Sequence, residues 1–441
     1  MKKYQKYNVE ATEDSVKESI KDNTYGRANS IKSFIEGLDM IEDNVFISLD
    51  AKWGQGKTFY VRQIEMTLKY LSKKKLEQDV SDLEDVFEKS ILKNVPLEKT
   101  YLPIYYNSWL YDNHNDPLMS LLYVMIKESE KYVSTTIDTK SLGDKLLSLL
   151  SPFSIALPFL QLSGDMEKIK ENFVGKDLLQ EIKTAEEIRD IVKQILNEVI
   201  VESAQKLVIF IDELDRCKPS YAIEMLERIK HYFDDERLVF VASVNKEQLV
   251  HTISNYYGDA FDATGYLNKF FDINIYLPEI PKYLRENSIL KTNNEQYFVR
   301  RIVEELVEYY NLSLRDTIIY QQNMEATSKQ HYNDTRVQGC MVSIFVPVIQ
   351  ILDIVSQSMK KDFMEGKGSI FDELCENIPS IHRMICRFGT NGSDDDENYR
   401  VGYEKVSKVY ECIFKANKPY DGTLDISRDL RDICIRVCNG E

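Results

Sequence analysis

The segment from Asn44 to Leu71 constrains the fold most strongly, because an apolar strand, a glycine-containing loop and a helix follow one another there without interruption. The strand, NVFISLD, is rich in β-branched and aromatic residues, which is typical of a strand buried in a parallel sheet. The helix, KTFYVRQIEMTLKYL, begins where the loop ends. This succession predicts an α/β fold in which the loop and the helix N-terminus can hold an anion.

The loop, AKWGQGKTF, matches the phosphate-binding pattern GxxxxGK[ST] except at its first position, where Ala51 replaces glycine. In this pattern backbone N–H groups surround the β-phosphate, the lysine reaches the β- and γ-phosphates, and the Ser/Thr hydroxyl ligates Mg²⁺. Alanine is the smallest residue with a Cβ, so it fits the turn if its φ is negative. An unrelated Gly-Lys-Thr loop is the alternative for this segment alone. Nucleotide contacts are therefore predicted for the whole loop: Ala51, Lys52, Trp53, Gly54, Gln55, Gly56, Lys57, Thr58 and Phe59.

A second segment, KLVIFIDELDRCKPS at residues 206–220, contains an apolar run that ends in Asp212 and Glu213. An acidic residue at the carboxyl end of a buried parallel strand lies where α/β sheets bind their ligands. We expect Thr58 and Asp212 to hold Mg²⁺ and Glu213 to orient and activate the attacking water. An acidic helix N-cap is the alternative for this segment taken alone. The two segments, in this order, favour a nucleotide hydrolase.

Further segments complete a resemblance to a known family. They are YYNSWLYD at 105–112, GYLNKFFDINIYLPEI at 265–280 and DNTYGRANSIKSFIEGL at 22–38, taken together with IDELDRC. The sequence from about residue 22 to 280 resembles the KAP family of P-loop NTPases. Trp109 and Arg216 are the most specific parts of this resemblance. Trp109 is either a core aromatic residue or a functional one, and Arg216 either forms a structural salt bridge or senses phosphate.

The sequence departs from the family pattern at three places. Family members usually carry Asp where Glu213 stands, and Glu is found there in active hydrolases of other P-loop groups, so this departure favours catalysis. Asn245, after the segment RLVFVASV, occupies a sensor-like position where members often carry Asp, and its amide can hydrogen-bond both water and a γ-phosphate. Lys57, Glu213 and Asn245 are thus the predicted catalytic residues. The segment IPSIHRMICRF resembles the late basic helix that approaches the nucleotide from the lid in related NTPases. Ser380 stands there in place of the expected arginine, which leaves Arg383 as the candidate for this nucleotide contact.

The predicted architecture is an α/β P-loop NTPase sheet with a helical insertion and a C-terminal helical domain. Strands are expected near 45–50, 101–107, 207–212, 238–244 and 271–277, with helices between them. The expected parts are residues 1–112 with the phosphate loop, 113–200 as the insertion, 201–280 with Asp212, and 281–441 as a helical lid domain. In the last part, an apolar helix over 340–359 is expected to be interrupted at Pro347.

Charge and cysteine content restrict the partners and the compartment. The chain has 56 Lys and Arg against 72 Asp and Glu, a formal charge of −16, which repels nucleic acid and anionic lipid over most of the surface. Its seven cysteines include no CxxC pair, and this favours reduced thiols and a cytoplasmic location.

Residues 146–164, LLSLLSPFSIALPFLQLSG, form an uncharged segment of about the minimum length of a membrane span. Because the phosphate loop and Asp212 must share one site, any spans between them must be even in number, and this is a single candidate. Pro152 and Pro158 would also interrupt a spanning helix. A buried or partner-docking hairpin is therefore favoured over membrane contact.

These observations predict a Mg²⁺-dependent ATPase that changes conformation and acts on a protein partner or as a homo-oligomer. The resemblance to bacterial members of the family implies a role in anti-phage defence or signalling. A nucleotide-binding scaffold with little hydrolysis is the main alternative. A small-molecule phosphotransferase is disfavoured by the Asp212-Glu213 pair and by the absence of an arginine-rich lid motif.

Overall fold

The computed structural model describes residues 10–113, 116–130, 185–200, 204–279, 297–328, 336–390 and 393–415. The chain divides into two compact units, residues 1–280 and 281–441. The apolar segment 146–164 lies outside the described residues. Among the helices that are described, none combines the length and the apolar character needed to cross a membrane.

The first unit is built on five strands with helices between them. In chain order its elements are α1 (Glu13–Lys21), α2 (Ala28–Asp39), β1 (Val45–Asp50), α3 (Lys57–Lys75), α4 (Ser81–Phe87), a 3₁₀ turn (Ile91–Asn94), β2 (Tyr101–Asn107), α5 (Ser108–Tyr111), α6 (Pro117–Glu130), α7 (Ala185–Ile200), β3 (Lys206–Asp212), a 3₁₀ turn (Leu214–Arg216), α8 (Pro219–Tyr232), β4 (Leu238–Val244), α9 (Lys246–Tyr257), α10 (Ala263–Leu267) and β5 (Ile273–Tyr276).

All five strands are parallel and lie in the order β2-β3-β4-β1-β5. The predicted parallel sheet is confirmed, and β5 is shorter than expected. Asp50 pairs with Val244 and Asp212 pairs with Ser243, so β1, β4 and β3 end at the same edge. Because β4 separates β1 from β3, the residues after β4 lie between the phosphate loop and Asp212.

The core of the first unit surrounds this sheet. Every residue of β3 and β4 is buried, as expected for central parallel strands covered on both faces. Helices α6 and α7, which come from the interval predicted to be an insertion, contribute buried side chains such as Leu122 and Val192 to the same core. These two helices therefore help to cover the sheet.

The second unit is helical in all of its described parts, which confirms the predicted C-terminal helical region. Its helices are α11 (Tyr297–Tyr309), α12 (Leu314–Ser328), α13 (Arg336–Val355), α14 (Gln357–Met364), α15 (Ser369–Asn377), α16 (Pro379–Cys386) and α17 (Asp396–Phe414). Its core contains a group of aromatic rings, Phe345, Phe363, Phe371 and Tyr410, in mutual contact.

The expected interruption at Pro347 is wrong. Helix α13 continues through this proline and ends at Val355, and Ser356 then caps α14 by accepting a hydrogen bond from the Met359 amide. A proline removes one helical hydrogen bond. Here its neighbours Phe345, Val346, Val348 and Ile349 are all buried in the core of the second unit, and this packing maintains the helix.

Candidate functional site

The phosphate loop turns sharply between β1 and α3. Gly54 and Gly56 have φ of 78° and 81°, a left-handed conformation that glycine adopts without strain. Ala51 is not among the described residues with positive φ, and its amide donates to the Val244 carbonyl at 3.1 Å, in continuation of the β1–β4 pairing. Gly56 is the N-cap of α3 and provides no side-chain cap, so the first amides of this helix are open to a ligand.

Lys57 lies across the loop that precedes it. Its Nζ donates to the Ala51 carbonyl at 2.6 Å, and the residue is 9% exposed. Burial lowers the pKa of the ammonium group, and the negative charge of Asp215, followed by that of Asp212, opposes this shift. The ammonium is thus held at the centre of the loop by a carbonyl that a phosphate oxygen can replace.

Arg27 fixes the other side of the loop, and the sequence analysis assigned it no role. Its guanidinium donates to the carbonyls of Gln55 at 2.9 Å, Gly56 at 3.2 Å and Pro278 at 3.1 Å. The residue is buried, and its guanidinium also lies 5.8 Å from the centre of the Tyr60 ring. The arginine in the segment DNTYGRANSIKSFIEGL was the available signal, but the partners of Arg27 are far from it in sequence.

Asp212 and Glu213 face the loop from the end of β3. Asp212 is 1% exposed, and it accepts hydrogen bonds from the Tyr105 hydroxyl at 3.0 Å and from the Glu213 amide at 3.0 Å. The Thr58 hydroxyl lies 3.5 Å from Oε1 of Glu213. The structure therefore brings the two sequence motifs together. Tyr105, which orients Asp212, was not predicted as a site residue.

Glu213 occupies an unusual backbone conformation and forms a close ion pair. Its φ of 62° and ψ of 21° are left-handed, which is uncommon for a residue with a side chain. The Arg216 guanidinium contacts its Oε2 atom. Burial, and then the charge of Asp212, raise the pKa of Glu213, while Arg216 lowers it. The structure thus supports the salt-bridge interpretation of Arg216.

Trp109 is not a core residue, so that interpretation of its role is wrong. It is 53% exposed, and the Arg216 guanidinium lies 5.7 Å from the centre of its ring. The residue lies just after β2, in the short helix α5. Its ring therefore lies beside the Arg216–Glu213 pair.

Asp215 connects the loop to the end of β4, and sequence reasoning did not identify it. Its Oδ2 atom accepts from the Trp53 indole N–H at 2.5 Å and from the Asn245 amide at 3.2 Å. The side-chain oxygen of Asn245 accepts from the Gln248 amide at 3.3 Å and caps α9, which leaves its amide nitrogen as the group that can donate to a ligand. The position of Asp215 in the LDRC segment was the available signal.

The comparison with known families decides the assignment. The sequence matches the family described as "KAP family P-loop domain" over residues 27–336, which is more than half of the chain. The chain belongs to the KAP family. No curated protein matches it significantly.

Two solved structures resemble this KAP chain in part. The ORC2 protein of Aeropyrum pernix, in ADPNP-ADP complexes, is 10% identical, with 94% of this chain and 93% of that chain covered and a TM-score of 0.33. PCH-2 of C. elegans is 9% identical, with 73% and 65% covered and a TM-score of 0.24. Both TM-scores lie below 0.5, so the family assignment rests on the sequence match.

The residues of the KAP site fit a nucleotide with Mg²⁺. The left-handed glycines and the α3 N-terminus form a cradle for phosphate, and Lys57 supplies a buried positive charge beside it. The Thr58 hydroxyl and the Asp212 carboxylate are oxygen ligands of the kind that Mg²⁺ prefers. Phe59, by contrast, is buried with its ring 5.3 Å from that of Tyr25, so its side chain anchors α3.

The region that resembles a lid helix lies in the second unit of the KAP chain. Ser380, where arginine was expected, is buried and donates through its amide and its hydroxyl to Glu305, both at 2.7 Å. Arg383 is half exposed, with a guanidinium nitrogen 3.7 Å from Glu305. Ser380 is therefore held by hydrogen bonds within its own unit. That Arg383 contacts the nucleotide stays a prediction.

Proposed function

We propose that this protein is a Mg²⁺-dependent ATPase that works as a conformational switch. One observation carries the proposal: buried Asp212 and partly buried Glu213 face the phosphate loop, with the Thr58 hydroxyl 3.5 Å from the Glu213 carboxylate. Hydrolysis needs phosphate positioning, a metal site and a base near the attacking water. The loop, the Thr58–Asp212 pair and Glu213 provide these three elements.

Each residue then has a distinct task. Lys57 exchanges the Ala51 carbonyl for phosphate oxygens, and the α3 amides hold the phosphate chain. Thr58 and Asp212 hold Mg²⁺, which when bound neutralises charge on the phosphates. Glu213 orients water and accepts its proton, while the Asn245 side-chain nitrogen donates toward the same region.

The Arg216–Glu213 ion pair is the basis of the proposed switch. Glu213 has one carboxylate oxygen against Arg216 and the other 3.5 Å from Thr58, so a water molecule held by Glu213 shares this carboxylate with both partners. Nucleotide and Mg²⁺ bound at Thr58 would therefore act directly beside the ion pair. Because the Arg216 guanidinium also lies over Trp109, a change at Glu213 would be transmitted to an exposed aromatic surface.

Exposed apolar side chains beside the site support a protein partner or a second copy of this chain. Trp53 is 47% exposed, Trp109 53% and Leu110 69%. Tryptophan at the surface is a common anchor of protein interfaces. The proposal includes a cytoplasmic location, which the cysteine pattern supports. It also includes a role in bacterial anti-phage defence or signalling, and the support for this role is the resemblance within the KAP family.

A nucleotide-binding scaffold is the second candidate, and the Arg216–Glu213 contact favours it. The positive charge of Arg216 stabilises the carboxylate and opposes the rise in the Glu213 pKa, so Glu213 is a weaker base for water than it would be without this contact. A scaffold would retain ATP with little release of phosphate. The two candidates therefore differ in turnover and share nucleotide binding.

Phosphate release from ATP, with and without Mg²⁺, tests the proposal. We expect Mg²⁺-dependent release by the wild-type protein, and Glu213→Gln should bind ATP while turnover falls by orders of magnitude. Glu236→Gln is the matched control, because it removes the same charge from an exposed position just before β4, at the opposite edge of the sheet. Tight ATP retention without release by the wild-type protein would establish the scaffold. Undiminished hydrolysis by Glu213→Gln would remove the assigned role of Glu213.

A further inference from the structure

A cluster of three metal-ligating side chains lies in the second unit, and none of the three has been assigned a role above. His382 and Cys386 are separated by one turn of α16, which places them on the same face of the helix. Asp394 comes from the segment just before α17. The ligating atoms of these three residues all lie within 4.8 Å of one another.

The distances within this cluster correspond to the edges of a coordination site. His382 Nδ1 lies 3.8 Å from Cys386 Sγ, Cys386 Sγ lies 3.6 Å from Asp394 Oδ1, and His382 Nδ1 lies 3.6 Å from Asp394 Oδ1. Tetrahedral zinc with bonds of about 2.0–2.3 Å has ligand–ligand edges of roughly 3.3–3.6 Å. The three atoms therefore need to move by only a few tenths of an ångström to enclose an ion.

The surrounding structure holds the three side chains in place. Cys386 is 1% exposed, and the His382 ring stacks on Tyr399 of α17 with centroids 4.1 Å apart. Asp395, next to Asp394, is the N-cap of α17 and accepts from the Asn398 amide at 2.8 Å. The backbone beside Asp394 is thus fixed by a helix cap, and the histidine ring is fixed by an aromatic neighbour.

The set of donor atoms selects the class of ion. One thiolate, one imidazole and one carboxylate are ligands that zinc accepts, whereas Mg²⁺ and Ca²⁺ prefer oxygen ligands alone. Asp394 is an exposed ligand, with 60% of its side chain accessible, so solvent can reach the remaining coordination position. Three protein ligands and one open position characterise a zinc site that retains a water molecule.

We propose that His382, Cys386 and Asp394 bind one zinc ion, with water as the fourth ligand. The ion joins the end of α16 to the start of α17 and so closes the connection between these helices. It stabilises the folded second unit, because binding to the native state shifts the unfolding equilibrium. Without metal, the same side chains remain linked by the Cys386–Asp394 and His382–Asp394 contacts.

The test uses the full-length, untagged protein, stripped of metal and titrated with Zn²⁺ against a chromophoric chelator. We expect one zinc per chain, and Co²⁺ in its place should give the absorption bands of tetrahedral thiolate coordination. His382→Ala, Cys386→Ser and Asp394→Asn should each weaken zinc binding by at least about tenfold. Cys412→Ser is the matched control, since Cys412 is a partly exposed cysteine of the same unit and lies outside the cluster.

Thermal unfolding with and without Zn²⁺ provides a second measurement. Zinc should raise the unfolding temperature of the wild-type protein and of Cys412→Ser, and should raise that of Asp394→Asn by less at the same zinc concentration. Asp394 is largely exposed, so this variant keeps the proposal testable even if Cys386→Ser does not fold. Absence of stoichiometric zinc from the wild-type protein, or equal zinc affinity in wild type and Asp394→Asn, would overturn the proposal.

Discussion

At Glu213 the protein maintains a carboxylate in surroundings that disfavour its charge. Burial and the neighbouring Asp212 raise its pKa above the ordinary 4.5, against the opposing effect of Arg216. A raised folded-state pKa means that stability from this group is fully present below the unfolded pKa and is lost as the pH rises through the folded pKa. For the proposed role of Glu213 as a base, the same shift brings its pKa closer to neutral pH, where proton transfer from water is more effective.

Glu213→Gln should therefore change the pH dependence of stability. Below pH 4.5 the wild-type side chain is largely neutral, as glutamine is at every pH. The difference in unfolding temperature between wild type and Glu213→Gln therefore has its baseline value there. As the pH rises through the folded pKa, this difference should shift in favour of the variant, because glutamine does not ionise. Circular dichroism melts without nucleotide measure it, and Glu236→Gln corrects for the change in net charge. A difference that stays constant with pH would contradict the assigned cause.

Lys57→Ala should weaken ATP binding. The lost charge-assisted contact is worth about 1.5–3 kcal/mol, which corresponds to roughly a tenfold to more than a hundredfold loss of affinity. Lys89→Ala is the control, because it removes the same charge from an exposed position outside the loop and should have a small effect. Titration calorimetry measures both variants. Equal ATP affinity in wild type and Lys57→Ala would rule out this loop as the phosphate site.

At the scale of elements, the start of α3 depends on backbone conformations that side chains disfavour. Gly56 has φ of 81° and is the N-cap of a helix of 19 residues. Arg27, just before α2, donates hydrogen bonds to the carbonyls of Gln55 and Gly56 in the loop. It also donates to the carbonyl of Pro278, which follows β5. The loop is thus connected both to the element before β1 and to the last strand of the sheet.

Two glycine substitutions test whether the start of α3 depends on the left-handed conformation of Gly56. Gly56→Ala should cost about 1–2 kcal/mol of unfolding free energy and weaken ATP binding, because alanine is strained at a left-handed φ. Gly37→Ala, inside α2 with no atom within 4 Å of the added Cβ, should stabilise by about 0.5–1 kcal/mol and leave binding unchanged. Urea unfolding and calorimetry provide the measurements. The expectation fails if both substitutions change stability in the same direction.

At the scale of the whole molecule, the proposed switch requires that the ATP and ADP states differ in structure. A ligand shifts a conformational equilibrium only through its different affinity for the two states. The Arg216–Glu213 pair beside exposed Trp109 is a local arrangement that nucleotide can alter. That residues 281–441 act as a lid stays a prediction.

Glu213→Gln loaded with ATP is expected to be trapped in the ATP state. Its pattern of limited proteolysis, or its size by light scattering, should then differ from that of the same variant with ADP. Glu236→Gln with ATP should hydrolyse its ligand and arrive at the ADP pattern. Identical patterns for trapped ATP and ADP would exclude the switch, whether or not the protein hydrolyses ATP.

The sequence alone predicted the five parallel strands, the phosphate loop after β1 and the acidic pair after β3. These features are local in sequence. An apolar run predicts a buried strand, and the polar residue that ends the run lies at the carboxyl end of that strand. The helix through Pro347 was mispredicted, because the burial of its neighbours outweighs the lost hydrogen bond.

Tertiary structure alone decided which side chains meet across the chain. Arg27 reaches Pro278, Asp215 joins Trp53 to Asn245, and Trp109 stays exposed over Arg216. Each of these contacts joins residues far apart in sequence, so no local periodicity contains them. They form because the parallel register of β1, β4 and β3 brings the strand ends to one edge, where buried polar groups must find partners.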